Sequence, residues 1–171
     1  MNLYNTPKHF CVNVFYSSQN CLSKEVAEIL FLKLSKHNKV KLNSLNQYDT
    51  KNINIGDMFF FCISIENETE NNMFIKKIND THFVNVQYSI MTIGNSLINQ
   101  EIHILSNRIN NALLRNKAIC VHRFYLDENI NDDNLIDDYI QNSCDFLVKY
   151  KNNLFKWFIS RISDTPQTKL E

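Results

Sequence analysis

Six consecutive residues, Met58-Phe59-Phe60-Phe61-Cys62-Ile63, are apolar without a break. A strand with one face in water alternates polar and apolar positions, so this run predicts a strand covered on both faces. Phe10-Cys11-Val12-Asn13-Val14-Phe15 is a second, mostly apolar run. Tyr88 to Ile93 and Ala118 to Phe124 are two more, and Val40 to Leu42 is a short fifth. Strands of this kind need a layer packed above and another below.

The segments between the runs have helical period. Ser23 is positioned to cap a first helix in which Val26, Ile29, Leu30 and Leu34 recur on one side, with Lys36 and His37 suited to its end. The polar stretch Glu66 to Asn72 leads into a short helix expected near Met73 to Ile78. Ile102, Leu105, Ile109 and Leu113 form the stripe of a third helix over about 99–114. Leu135, Tyr139, Ser143 and Phe146 do the same for a fourth, from about Asp133 to Tyr150. Strand and helix alternating in this way predict an α/β domain, a doubly wound parallel five-stranded sheet with helices on both faces. Residues 1–150 make that domain, and 151–171 read as a C-terminal extension.

Composition removes several classes of function. The 171 residues carry 18 basic and 18 acidic side chains, so the charge surplus that a non-specific nucleic-acid binder needs is missing. The longest apolar run is too short to cross a bilayer, and Met1 to Phe10 holds no apolar signal region. Five cysteines without a C-x-x-C pair fit a reducing, cytoplasmic setting, with Cys62 and Cys120 as small core hydrophobes. The five histidines show no metal-ligand spacing. No P-loop or G-x-S-x-G elbow occurs. Tyr16-Ser17, Ser64 and Phe124 stand where a phosphoacceptor receiver domain would need acids and a lysine. Cys21, at a helix start, is a candidate reactive thiol, but no resolving cysteine stands nearby in the sequence.

Open parallel sheets bind ligands in the crevice beyond the carboxyl ends of their strands. The loops at that rim are Tyr16 to Leu22, Ser64 to Asn72, Gly94 to Asn99 and Tyr125 to Asp132. The first is rich in hydroxyls and amides before a helix, which suits either an anion or an ordinary capped turn. Gly94 suits either close approach of a planar ligand or a tight turn. Residues 127–138 pack six acids into twelve positions, favourable in a first helical turn and able to steer a basic partner.

Four segments in order carry a resemblance. VFYSSQNCLSKEVAEIL resembles the first strand, phosphate loop and first helix of the flavodoxin family, and FFFCISIENETENNMF its third strand and following loop. YSIMTIGNSLI is similar to its fourth strand and turn, and DDNLIDDYI to the acidic start of its last helix. The likeness is closer still to the FMN domain of diflavin reductases. It implies strand order 2-1-3-4-5 and a non-covalently bound FMN serving electron transfer. By position, Ser18, Gln19 and Asn20 would line the phosphate, Ile93, Gly94 and Asn95 would touch the ring or ribityl chain, and Asp132 would approach the ribityl hydroxyls.

The chain departs from the family in ways that matter. Asn20-Cys21-Leu22 stands where the family has Thr-Gly-Thr. Ser64 and Ile98 replace two aromatics, and Ile65 replaces a glycine. Each missing ring partner removes about 0.5–1.5 kcal/mol, and a lost bond to a charged acceptor about 1–3 kcal/mol. Ile65, Ile98 and Tyr16 are left to cover a ring.

The resemblance implies an electron carrier, an oxidoreductase component rather than a complete reductase. Nothing in 151–171 matches an FAD/NADPH module, so a separate NADPH/FAD-dependent reductase would supply electrons and a redox acceptor protein would take them. The alternative is a flavodoxin-fold protein that has lost FMN and serves as a binding module. In the tail, Leu154, Phe155, Phe158 and Ile162 fit a short helix packed on the domain, while Trp157 between Lys156 and Arg161 suits a partner or membrane surface.

Overall fold

The computed structural model describes residues 11–49, 53, 56–84, 86–95, 99–127 and 133–163, with Asn99 and residues 154–163 described by backbone alone. Five strands form one sheet: β1 (Val12–Tyr16), β2 (Val40–Ser44), β3 (Met58–Ser64), β4 (Gln87–Gly94) and β5 (Ile119–Asp127). Their order is β2-β1-β3-β4-β5, every neighbouring pair parallel. Val14 pairs with Leu42 on one side and Phe60 on the other, while Cys62 sits opposite Met91. The order and the alternation confirm the doubly wound arrangement expected from the sequence.

All seven residues of β3 are buried, because the pleat sends alternate side chains into two separate cores. Phe59, Phe61 and Ile63 join Phe15, Tyr88 and Ile90 on the face covered by α2 (Glu68–Asn79) and α3 (Asn99–Arg115). Met58, Phe60 and Cys62 join Val12, Val14 and Met91 on the face covered by α1 (Cys21–Ser35) and α4 (Asp133–Ser163). On the first face Phe15 stacks on Phe61 with centroids 5.5 Å apart, and Tyr48 meets Phe74 edge-on at 5.6 Å. Such ring pairs add to the stabilisation from buried area.

Helix boundaries differ from the sequence expectation for identifiable reasons. Asn20, not Ser23, caps α1: its Oδ1 accepts the Ser23 N–H at 2.7 Å. Ser23 lies inside the first turn, fully buried, its hydroxyl donating to the Ser17 carbonyl at 3.0 Å. Helix α2 starts at Glu68 rather than near Met73, because Asn67 accepts the Glu70 N–H at 3.1 Å and supplies the cap. Strand β5 runs on to Asp127, and α4 continues past Tyr150 to Ser163 as one helix. The stripe expected on α3 is buried as read: Ile102, Leu105, Ile109 and Leu113. Of the α1 stripe, Ile29 faces outward while Ala27 takes an inward place.

At the amino end of the sheet, Asp57 is buried and accepts the Cys11 N–H at 2.8 Å. Gly56 there has φ of +89°, a conformation open to glycine at little cost. The carboxyl ends of β1, β3, β4 and β5 (Tyr16, Ser64, Gly94 and Asp127) share the opposite rim.

Candidate functional site

The rim is built by hydrogen bonds between successive strand ends. After β1 the chain turns at Ser17, whose N–H donates to the Cys62 carbonyl at 3.1 Å. The buried Ser17 hydroxyl accepts the Ser64 N–H at 2.9 Å. One residue on, the Ile65 N–H donates to the Ile93 carbonyl at 3.0 Å. Three loops from distant parts of the sequence are thereby locked into one edge.

The first loop runs from Ser17 to Asn20 and opens α1. Cys21 and Leu22, in the first turn, have no intrahelical acceptor for their N–H groups, as at any helix start. Ser18 and Gln19 are exposed, and the Ser18 hydroxyl accepts Asn46 Nδ2 at 2.9 Å. Asn20 is buried by comparison. Beyond its capping bond, its Nδ2 donates to Glu66 Oε2 at 2.8 Å.

A second acid reaches the same loop. Glu70, in the first turn of α2, is only 3% exposed. The Ser18 N–H donates to both of its carboxylate oxygens, at 3.0 Å to Oε2 and 3.2 Å to Oε1. Asn67 Nδ2 adds a longer bond of 3.3 Å to Oε2. Asn71 completes the turn, its Nδ2 donating to the Ser64 carbonyl at 2.9 Å. The first loop thus meets two carboxylates of its own chain.

The third loop begins at Gly94, opposite Asp127 on β5 and one step beyond the buried Ile93. Ile65 and Ile102 press on Gly94 so closely that a side chain there would overlap both. The glycine makes room for these two isoleucines, which accounts for it without a planar ligand. Asn95 follows, half-buried. Asp132 and Ile98 lie outside the described residues, as do Ser96 and Leu97.

Beside Ile65, on the α2/α3 side, lies a cavity of about 240 Å³ lined by Ile65, Asn71, Leu105 and Arg108 among others. That is below the roughly 300–1,000 Å³ of small-molecule sites. Among the described residues no group of three or more His, Cys, Asp or Glu is placed to hold a metal ion. No helix among them is long and apolar enough to cross a membrane.

Ser18, Gln19 and Asn20 therefore lie together in one loop, and Ile93, Gly94 and Asn95 at the end of β4, on the same rim. Glu70 and Glu66, which are not among the residues expected at the site, make the principal contacts of the first loop. The spacing Asn67-x-x-Glu70 is that of a capping box and would have moved the start of α2 to this point. In an ordinary box the acid turns back to the backbone N–H of its own cap; here it meets the cap's side-chain amide and crosses to the Ser18 N–H.

The described residues fit a phosphate only on a condition. Uncommitted N–H groups at a helix start suit an anion. The Ser18 N–H becomes available only when the Glu70 carboxylate leaves it.

No protein-family model matches this sequence, and none of the curated proteins compared with it does. Solved structures do match in shape. Streptococcus pneumoniae flavodoxin superposes with a TM-score of 0.70 at 13% identity, covering 81% of this chain and 99% of that one. A short-chain flavodoxin associated with a PDU bacterial microcompartment gives 0.64 at 16%, covering 78% and 95%. A point mutant of Fusobacterium nucleatum flavodoxin, bound to flavin mononucleotide, gives 0.60 at 11%, covering 85% and 97%. At such identities the likeness is one of fold, and the fold is flavodoxin-like.

Proposed function

We propose that this chain is a flavodoxin-type electron carrier that takes FMN at the carboxyl rim of its sheet. The observation that supports it most is the joining of three rim loops through the Ser17–Ser64 and Ile65–Ile93 hydrogen bonds, on a fold shared with flavodoxins. When bound, FMN supplies one- and two-electron redox chemistry. The chain's part is to bind and orient it: the N–H groups from Ser18 to Leu22 for the phosphate, and Gly94, Asn95 and the Ile93 backbone beside the ring. Asp132 is the residue proposed for the ribityl hydroxyls. A separate NADPH/FAD-dependent reductase is the proposed donor, and a redox protein the acceptor. The finer likeness to the FMN domain of diflavin reductases rests on the four sequence segments alone.

A second reading is a flavodoxin-fold binding module without FMN. The Ser18–Glu70 bond and the packing of Ile65 on Gly94 favour it, since both fill space or donors that a flavin would use. The visible absorbance of the purified chain, before and after adding FMN, separates the two. Yellow protein, or saturable quenching of flavin fluorescence, is the expected result. Colourless protein that takes up no added flavin overturns the electron-carrier reading.

A further inference from the structure

Glu70 is set against the first loop as a ligand, not as solvated surface charge. Glu70 is nearly buried, and both of its oxygens face one backbone N–H. Among the described residues no cation is seen to pair with Glu70 within 4 Å. Its charge is held by amide donors and by the positive end of α2. Glu66 brings a second negative charge to the Asn20 amide of the same loop.

We infer that Glu70, backed by Glu66, is an internal competitor for the anion seat of the first loop, so that the loop holds either the Glu70 carboxylate or a phosphate monoester, not both. This deepens the proposed flavin reading by naming what sets its preference for a phosphorylated ligand. The competition has two parts. The Ser18 N–H has a single hydrogen, already shared between the two oxygens of Glu70. A phosphate dianion entering beside two carboxylates is also repelled by both, more strongly by the buried Glu70 than by the exposed Glu66. Replacing Glu70 by Gln removes the charge while keeping an acceptor of the same shape. The α2 cap survives, because Asn67 Oδ1 accepts the backbone N–H of residue 70, and the glutamine keeps an oxygen able to accept from Asn67 Nδ2.

The test uses the full chain, labelled with nitrogen-15 and titrated with inorganic phosphate while the amides of residues 18–22 are followed by NMR. Phosphate binding is expected to be about tenfold or more tighter in Glu70→Gln than in the native chain. Glu66→Gln, which leaves the Ser18–Glu70 bond intact, is expected to give a smaller gain in the same direction. In parallel, FMN and riboflavin affinities are read by flavin fluorescence. The FMN-to-riboflavin preference should rise about tenfold or more in Glu70→Gln, with riboflavin unchanged. Equal phosphate affinity in all three proteins, or no phosphate binding in any, overturns the inference even where flavin binds. Tighter phosphate binding by the variants with no uptake of either flavin leaves the competitor role standing and overturns the flavin reading instead.

Discussion

Gly94 and Ile65 share one volume: a methyl group on Gly94 would lie 2.6 Å from Ile65 Cδ1 and 2.8 Å from Ile102 Cγ1. The end of β4 and the turn after β3 are consequently a single packed unit, and substitutions there act on each other.

Gly94→Ala is expected to cost about 1–3 kcal/mol, the usual range for overpacking. In a chain of this length that lowers Tm by about 2–4 °C per kcal/mol. The cost should shrink in an Ile65→Ala background, with a coupling of about 0.5–3 kcal/mol in a double-mutant cycle. Urea unfolding of the four proteins measures it. Strictly additive effects would mean that the two residues do not compete for space.

Ser17→Ala leaves the buried Ser64 N–H without its acceptor. An unsatisfied buried donor costs about 1–3 kcal/mol, and the same change unlinks the first loop from β3. Faster hydrogen exchange at Ser64, along with a lower urea midpoint, is the expected pair of results.

Asn20→Ala removes the cap of α1 and should cost about 1 kcal/mol. Asn20→Asp keeps an acceptor for the Ser23 N–H but sets a second carboxylate against Glu66, which now accepts from Asn20 Nδ2. The aspartate variant should regain stability as salt is added, whereas the alanine variant should not. Thermal melts at low and high ionic strength make the comparison.

Burial pushes the Cys62 thiol up from 9.0 to about 12, against a smaller lowering by the neighbouring Tyr139 hydroxyl. The unfolded thiol ionises near pH 9 and the folded one does not, so the unfolded state holds fewer protons between those values. Stability is therefore fully present below pH 9 and falls as pH rises toward 12, by about 1.4 kcal/mol per pH unit for this one group. Cys11, Cys120 and Cys144 are raised in the same direction, also by burial. Cys62→Ala should flatten the alkaline slope without abolishing it, as read from urea midpoints between pH 8 and pH 11. An unchanged slope would place the thiol in contact with solvent.

Much of the architecture is legible in the amino-acid sequence alone. An unbroken apolar run such as Met58 to Ile63 can only be satisfied by cover on both faces, and segments of helical period between such runs supply that cover. The loops that form the rim followed from the same reasoning. Helix starts were less legible. Ser23 and Asn20 both have capping side chains, and only the packing of Ser23 under Ser17 decided between them. The seven polar residues from Glu66 to Asn72 hid the first turn of α2, because burial of Glu70 and Asn71 depends on the neighbouring loop rather than on their own periodicity.

Local chemistry, repeated along the chain, was enough to determine a doubly wound sheet and the loops that meet at its carboxyl rim. How that rim is packed was decided by contacts between residues far apart in sequence: Ser18 with Glu70, Asn20 with Glu66, Gly94 with Ile65. A carboxylate in a polar stretch reads the same whether it faces water or another loop's N–H. Its free energy differs greatly between those surroundings, and only the folded chain brings the two partners within reach.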